Sequence, residues 1–261
     1  MRIFSNPLEA VKEVERDCWE MGIVVRPQTM QDKNIKDDPE YTTKEIRGYS
    51  FKINGWDYDF DGLVKVLEYF FPDDANDIAN YCLTEIKERL SGCAYNPGKA
   101  YKWRTKVWDE FLHDGKFAYT YSERIADQVN TILNELEERP DTRQGIITIH
   151  TNICPMCDGQ VANTFSEENE VRISADWVHR GGGGRVPCSM YYQLMIREGK
   201  LDLIYTMRSC DLLTHFPIDI SLALMTQQWF AAKLNLPMGT FTYFCGSLHS
   251  YYRDIKKRGV F

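Results

Sequence analysis

The sequence predicts an α+β fold, with a β-sheet built around a hairpin and flanked by helices. The hairpin is the clearest signal, because two strand-like runs, 190–196 and 201–207, are joined by the turn sequence Arg197-Glu198-Gly199-Lys200. Helices and strands do not alternate regularly, as they would in a parallel α/β sheet. No repeat and no Pro/Ser-rich linker divides the 261 residues, so we predict a single domain over residues 1–261.

Helices are predicted from capping residues and from apolar residues at helical spacing. Asn6-Pro7 begins the first helix, which ends at Gly22. Two further helices lie between Phe60 and Leu90, separated by Pro72. The remaining two run from Ser122 to Pro140 and from Pro217 to Leu234, and the last is apolar on most sides, which predicts a buried helix.

Strands are predicted where β-branched and aromatic residues cluster between turn signals. Besides the hairpin, these segments are Ile23–Val25, Ile46–Ile53, Ile146–Thr151 and Thr240–Cys245.

The charge balance excludes some classes of function. A net charge of −7 argues against a broad nucleic-acid-binding surface, which needs clustered Lys and Arg, but not against a mononucleotide. The acidic, amphipathic N-terminus does not resemble a signal peptide, and no apolar run is long enough for a membrane span. We therefore expect a cytoplasmic protein. The one close cysteine pair, Cys154 and Cys157, lacks further ligands at zinc-site spacing, so we predict no metal site.

One cysteine and one arginine stand out as a candidate site. Cys188 follows Pro187 at the start of the hairpin, and Arg208-Ser209-Cys210-Asp211 stands at its far end. Because both ends of a hairpin return to the same sheet edge, Arg208 and Cys188 are expected to be neighbours. Such an arginine can bind a phosphate bidentately and favour the thiolate, which is the nucleophilic form of cysteine.

The order and spacing of several segments resemble the thymidylate synthase superfamily from about Trp108 to Tyr251. The matching segments are Val107-Trp108-Asp109-Glu110, Tyr121, Pro140-Asp141-Thr142-Arg143, Pro187-Cys188, Gln193, Arg208-Ser209-Cys210-Asp211 and Gly246-Ser247-Leu248-His249-Ser250-Tyr251. The resemblance implies a thymidylate synthase fold, a mixed β-sheet flanked by helices, and a homodimer that packs sheet against sheet.

The resemblance also implies roles in nucleotide binding and catalysis. Cys188 matches the nucleophile that adds to C6 of a pyrimidine, and Trp108 matches the family's active-site tryptophan. Arg208 and Ser209 resemble phosphate ligands, and Arg143 resembles an arginine that is donated across the dimer interface. Gln193 would support the nucleotide, while His249 and Tyr251 would hold a sugar hydroxyl. Arg26 is the candidate for a further phosphate ligand on a loop, and Glu68 for the general acid/base.

For the co-substrate, the resemblance implies 5,10-methylenetetrahydrofolate. Asp211 and Trp108 would lie near its pterin, and His215, which replaces a small residue, can face it and orient water. An exposed loop position is the alternative for His215. Two other departures are Gln144, where a second arginine is usual, and Ser189, where histidine is common.

The residue that would read the base is Asp219, eight residues after Asp211, where thymidylate synthases carry asparagine. An amide matches uracil, whereas a carboxylate accepts from the cytosine amino group and, when protonated, donates to N3. The phage-type deoxycytidylate hydroxymethylases resemble this chain at Asp219 and at Gly246-Ser247-Leu248-His249. The sequence thus predicts a deoxycytidylate (dCMP) hydroxymethyltransferase of the kind that phages use in making modified DNA.

The segment after Tyr251 indicates which product is expected. Ten residues follow Tyr251, too few to close over the folate as the synthases' longer tail does, which favours capture of water over hydride transfer. The alternatives are a methyl product, a ribonucleotide substrate, action on dUMP, and a catalytically dead homologue that binds nucleotide.

Overall fold

The computed structural model describes residues 1–30, 33–54, 59–150 and 186–259. Within these ranges the helices are α1 (Pro7–Met21), α2 (Phe60–Phe70), α3 (Ala75–Arg89), α4 (Thr105–Trp108), α5 (Tyr121–Glu138), α6 (Phe216–Lys233) and α7 (Tyr252–Arg258). The strands are β1 (Arg2–Phe4), β2 (Ile23–Val25), β3 (Thr29–Met30), β4 (Lys33–Asn34), β5 (Thr43–Ile53), β6 (Ile146–Thr148), β7 (Ser189–Arg197), β8 (Lys200–Asp211) and β9 (Met238–Tyr251). The cysteine pair Cys154 and Cys157 lies outside the described residues.

The helix ends follow from local side-chain chemistry. The Asn6 side chain accepts a hydrogen bond from the Glu9 amide, and proline opens α1. At α5, Thr120 and Glu123 form a reciprocal capping box, which satisfies two backbone donors that have no partner within the helix. These caps confirm the predicted starts of both helices to within one residue.

The main sheet has seven strands and mixes parallel with antiparallel pairs. Its order is β1-β5-β9-β8-β7-β6, and β2 pairs with β5. β8 and β9 run parallel, whereas β5 is antiparallel to β9 and β7 is antiparallel to β8. This arrangement confirms the predicted α+β class.

The predicted hairpin is confirmed, with β7 and β8 joined by a tight turn. Both central turn residues have positive φ, 53° at Glu198 and 71° at Gly199, as a turn that continues the strand twist requires. The last strand is longer than predicted, because β9 continues from Cys245 to Tyr251 between β8 and β5. That extension carries the sequence Gly246 to Tyr251 on a strand with neighbours on both sides.

The hydrophobic core fills one face of the sheet. Tyr205 and Tyr243 on neighbouring strands lie 5.9 Å apart at their ring centroids, and Phe216 of α6 packs against Tyr243 at 5.4 Å. Twelve of the residues in α6 are buried, which confirms the prediction of a buried helix.

The opposite face of the sheet, here called the open face, is defined by paired residues. Ile146, Gln193, Ile204 and Thr242 are successive partners across β6, β7, β8 and β9. Phe244, two residues beyond Thr242, points the same way. Ile146 and Phe244 are 40% and 42% exposed.

No helix in the described part of the chain combines the length and the apolar character needed to cross a membrane.

Candidate active site

A cavity of about 400 Å³ opens where β8 and β9 end and β7 begins. Its walls come from the ends of these strands, from the segment after β8, and from the α4 region: Pro27, Thr43, Glu45, Val107, Trp108, Glu110, Phe111, Cys188, Arg208, Ser209, Cys210, Asp211, Thr214, His215, Ser247, His249, Tyr251 and Arg253. The parallel register of β8 and β9 sets Ser209 beside Ser247 and Asp211 beside His249. Two segments distant in sequence therefore meet at one end of the sheet.

Cys188 stands half-buried at the entrance to β7 and lines this cavity. Its sulfur accepts hydrogen bonds from Arg208 Nη2 and from Ser209 Oγ, each at 3.7 Å. A cation and a hydroxyl donor both stabilise a thiolate, so this cysteine is surrounded by groups suited to a nucleophile. The expected proximity of Cys188 and Arg208 is confirmed.

Arg208 also holds the backbone around the cysteine. Its Nε donates to the Pro187 carbonyl at 2.8 Å and its Nη2 to the Val186 carbonyl at 2.9 Å. The Arg208 amide donates to the Cys188 carbonyl at 2.8 Å. The guanidinium is nevertheless exposed on its outer side, where it can meet an anion.

His249 and Tyr251 project into the same cavity from β9. Their rings meet edge to face at 5.4 Å, and His249 Nδ1 lies 3.4 Å from Ser247 Oγ. Asp211, on the neighbouring strand, is 9% exposed and accepts a hydrogen bond from the Leu213 amide at 3.2 Å. Burial raises the pKa of Asp211, and the nearby His249 partly counteracts that shift.

Asp219 lies in the first turn of α6, next to Cys210, which lines the main cavity. The Cys210 thiol donates to its Oδ2 at 3.7 Å. Asp219 retains some exposed surface, yet burial of the carboxyl raises its pKa from 3.8 to about 6, against the lowering effect of Arg89. This carboxyl can therefore change protonation state not far below neutral pH.

Trp108 is shared between the main cavity and a smaller one of about 50 Å³. The smaller cavity has a largely aromatic wall and two carboxylates, and its lining residues are Tyr81, Glu85, Glu88, Pro97, Tyr101, Trp108, Phe117, Tyr119, Thr120, Tyr121 and Ser122. His215, at the N-terminus of α6, lines the main cavity, as the prediction that it faces the co-substrate requires.

A buried ion pair lies beside the smaller cavity. Arg89 Nε donates to Glu85 Oε1 at 2.7 Å, and the two side chains are 4% and 16% exposed. Burial opposes the charge of Arg89, but Glu85 and neighbouring tyrosines hold its pKa well above the ordinary value. The Arg89 guanidinium therefore stays charged inside the protein.

Five predicted site residues, Asp219 among them, do not line either cavity. Glu68 is exposed on α2, on the side away from the buried Leu63, Leu67 and Phe70. Arg143 is exposed, and its carbonyl accepts from Gln193 Nε2 at 3.0 Å, on the open face. Arg26 is exposed, although the adjacent Pro27 lines the main cavity.

Two charged residues that sequence reasoning missed are Glu85 and Arg89. A signal for them exists, because both follow Tyr81 and Cys82 at helical spacing and so share the buried face of α3. Glutamate and arginine in such a stripe are rarely buried unless they are paired, which marks them as unusual. Arg253, which also lines the main cavity, was likewise not predicted.

The chain is similar to known proteins in sequence and in fold. The model of the family described as thymidylate synthase matches residues 94–259. A putative thymidylate synthase from Methanocaldococcus jannaschii is 27% identical over 146 residues, which is 56% of this chain and 56% of that relative. The chain thus spans a little over half the length of the curated relative it matches.

Two solved structures share the fold. Thermostable thymidylate synthase A from Bacillus subtilis has a TM-score of 0.65 at 15% identity, over 98% of this chain and 84% of that one. Thymidylate synthase from T4 phage has a TM-score of 0.57 at 19% identity, over 95% and 78% respectively. The predicted fold is confirmed, and the chain belongs to the thymidylate synthase family.

Proposed function

We propose that the protein is a dCMP hydroxymethyltransferase that uses 5,10-methylenetetrahydrofolate and water to form 5-hydroxymethyl-dCMP and tetrahydrofolate. The observation that carries the proposal is the placement of Cys188 against Arg208 and Ser209 in a cavity of about 400 Å³, with Asp219 behind its wall. A cavity of this size falls within the range of small-molecule sites.

Cys188 is the proposed nucleophile. Its thiolate adds to C6 of the pyrimidine, and the electron pair of the C5–C6 double bond moves so that C5 becomes nucleophilic. Arg208 and Ser209 bind the phosphate, and both also donate hydrogen bonds to the Cys188 sulfur. His249 and Tyr251 hold the sugar. Arg26 remains a proposed further phosphate ligand, supported by the position of Pro27 in the cavity wall.

Asp219 is the proposed reader of the base. Its carboxylate accepts a hydrogen bond from the cytosine amino group, and its protonated form donates to N3. Against uracil, an ionised Asp219 faces the O4 acceptor and leaves it unmatched, at a cost of about 1–3 kcal/mol. The raised pKa of Asp219, about 6, makes both protonation states accessible.

The cavity walls fit a folate co-substrate. Asp211 presents a buried carboxyl and Trp108 an aromatic face, and these residues with His215 would hold the pterin. When bound, the methylenetetrahydrofolate supplies the one-carbon unit that becomes attached to C5.

Glu85 replaces Glu68 as the proposed general acid/base. Its side chain is 16% exposed and lines the small cavity that shares Trp108 with the main one. That small cavity has room for an ordered water and offers several hydroxyl partners around it. Water held there by Glu85 would be the source of the hydroxyl in the proposed product.

A homodimer is the proposed assembly. The open face carries Ile146 and Phe244, about two-fifths exposed, and Gln193 lies between Ile146 and Ile204 on that face. A second copy packed on this face would cover the apolar side chains and could lend Arg143 to the neighbouring site.

The test is release of tritium from [5-³H]dCMP and [5-³H]dUMP in the presence of methylenetetrahydrofolate, with the product identified by its mass. The proposal expects release from dCMP and a hydroxymethyl product. A methyl product would contradict the water step, and release from dUMP alone would contradict the role of Asp219. Absence of release from either nucleotide would instead favour a nucleotide-binding homologue without activity.

A further inference from the structure

We propose that Arg89 is a positioning residue, which fixes the Glu85 carboxylate at the cavity and links it to the hydroxyl groups beside Cys188. The inference rests on the proposed function, because Glu85 and Cys188 are given their roles there. Arg89 itself lines neither cavity, so it acts through the groups it holds.

The first support is the cost of burying this pair. Arg89 is 3% exposed as a residue, and Glu85 is its ion-pair partner one helical turn earlier on α3. Removing two charges from water costs several kcal/mol, and a well-packed apolar pair of similar volume is often at least as stable. A contribution to stability is therefore a weak explanation for burying Arg89 beside Glu85. Holding the Glu85 carboxylate at the cavity wall is a more specific explanation.

The second support is that Arg89 makes a separate contact toward the nucleophile. Its guanidinium lies over the Tyr121 ring, 4.0 Å from the centroid. The Tyr121 hydroxyl is 3.3 Å from Ser189 Oγ, which lies 2.6 Å from the Tyr205 hydroxyl. Ser189 directly follows Cys188.

These contacts link four side chains in a continuous series. It runs from Glu85 on α3, through Arg89 and Tyr121, to Ser189 at the start of β7. A guanidinium suits this position, because its planar fork can pair with a carboxylate while its face stacks on an aromatic ring. One side chain thus sets the relative position of the proposed acid/base and of the segment that carries the nucleophile.

The experiment is a double-mutant cycle in the 261-residue protein, with tritium release from [5-³H]dCMP as the activity. The variants are Arg89→Met, Glu85→Gln and the two combined, and Arg89→Lys is the conservative replacement. Arg139→Met is the matched control, since Arg139 pairs with Glu135 one turn earlier on α5 but is 61% exposed. Melting curves verify that each variant folds.

We expect Arg89→Met to lower kcat about 100-fold with little change in KM for dCMP, as loss of alignment does. In the Glu85→Gln background the same change should cost less than about threefold, because the group that Arg89 positions is already gone. Arg89→Lys should recover part of the loss, and Arg139→Met should behave as wild type.

Equal fold-losses from Arg89→Met in both backgrounds would overturn the inference, as would a loss confined to KM or to melting temperature. If Arg89→Met does not fold, Arg89→Lys with and without Glu85→Gln carries the same comparison. A wild-type protein that releases no tritium would point to failure of the proposed function, which is a different result from an active wild type with additive variants.

Discussion

Arg208 contacts Cys188 both through its backbone and through its side chain. The Arg208 amide donates to the Cys188 carbonyl at 2.8 Å, and Nη2 lies 3.7 Å from the sulfur. The same side chain donates to the carbonyls of Pro187 and Val186. The position of the proposed nucleophile is therefore tied to a residue whose outer side is free to bind an anion.

Arg208→Lys should weaken dCMP binding and slow turnover together. Lysine has a single ammonium group, so it cannot donate to Pro187 and Val186 and meet a phosphate at once. Loss of charge-assisted hydrogen bonds of about 1.5–3 kcal/mol predicts roughly a 10- to 100-fold fall in kcat/KM. Steady-state kinetics measure the change, with Arg16→Lys, an exposed arginine on α1, as control. Unchanged kcat/KM would contradict both roles of Arg208.

Cys188→Ser should abolish turnover and keep the nucleotide site. A hydroxyl is far less nucleophilic than a thiolate near neutral pH, so we expect a loss of at least about 1,000-fold in kcat. Calorimetric titration with dCMP should give an affinity close to that of the wild type. Cys93→Ser is the control, because Cys93 is exposed and lines neither cavity. Retained turnover in Cys188→Ser would remove the covalent mechanism.

Asp219→Asn should shift the preferred base from cytosine to uracil. An amide donates to O4 and accepts from N3–H of uracil, whereas the ionised carboxylate of Asp219 has only acceptors and leaves O4 unmatched, so the substitution removes a penalty against uracil. At about 1–3 kcal/mol for each unmatched group, the ratio of kcat/KM for dUMP over dCMP should rise by roughly 10- to 100-fold or more. Parallel assays with both tritiated nucleotides test this, and an unchanged ratio would show that another residue reads the base.

The Asp219 carboxyl should also affect how the stability of the protein depends on pH. Because the folded-state pKa of Asp219 is raised from 3.8 to about 6, the folded protein binds more protons than the unfolded chain between these values. The contribution of Asp219 to stability therefore falls as pH rises through that window and stays low above it. We expect the melting temperature of Asp219→Asn minus that of the wild type to be larger at about pH 8 than at about pH 4. Parallel pH profiles for the two proteins would contradict the raised pKa.

Gly246→Ala, on β9, should disturb the cavity through the adjacent backbone of Arg208 on β8. A Cβ at Gly246 would lie 2.7 Å from the Arg208 carbonyl oxygen, so the backbone of β8 or β9 must move. We expect about 1–3 kcal/mol of destabilisation, together with weaker dCMP binding. Gly48→Ala, with φ of +65° and no atom within 4 Å of the new Cβ, should cost about 1–2 kcal/mol from conformation alone and spare binding. Normal dCMP binding in Gly246→Ala would contradict this coupling.

Local patterns in the sequence were sufficient to predict most of the fold. The Asn6-Pro7 start of α1 and the Glu198-Gly199 turn depend on interactions within a few residues, so their sequences determine them almost alone. The hairpin then brings Cys188 to Arg208, because strand pairing fixes which ends meet.

The parts that sequence reasoning missed depend on contacts between distant segments. β9 continues past Cys245 because β5 and β8 pair with it on both sides, and Gly246 in isolation is a poor strand residue. Glu68 and Glu85 both lie on helices next to apolar residues, and only the packing of α3 distinguishes them. The sequence of α3 places Glu85 and Arg89 one helical turn apart on its apolar face. Their pairing with each other is seen only in the structure.

The turn that joins β7 and β8 has a practical consequence for labelling this protein. Glu198 and Gly199 lie at the end of the hairpin remote from Arg208, and nine residues at 3.3 Å each place Gly199 about 30 Å from Arg208 along the strand. The pairing of β7 with β8 fixes the register of the two strands from the turn to the cavity. A fluorophore or a short peptide tag attached at this turn would therefore lie far from the main cavity. It should leave in place the ends of β7 and β8 that form the cavity wall.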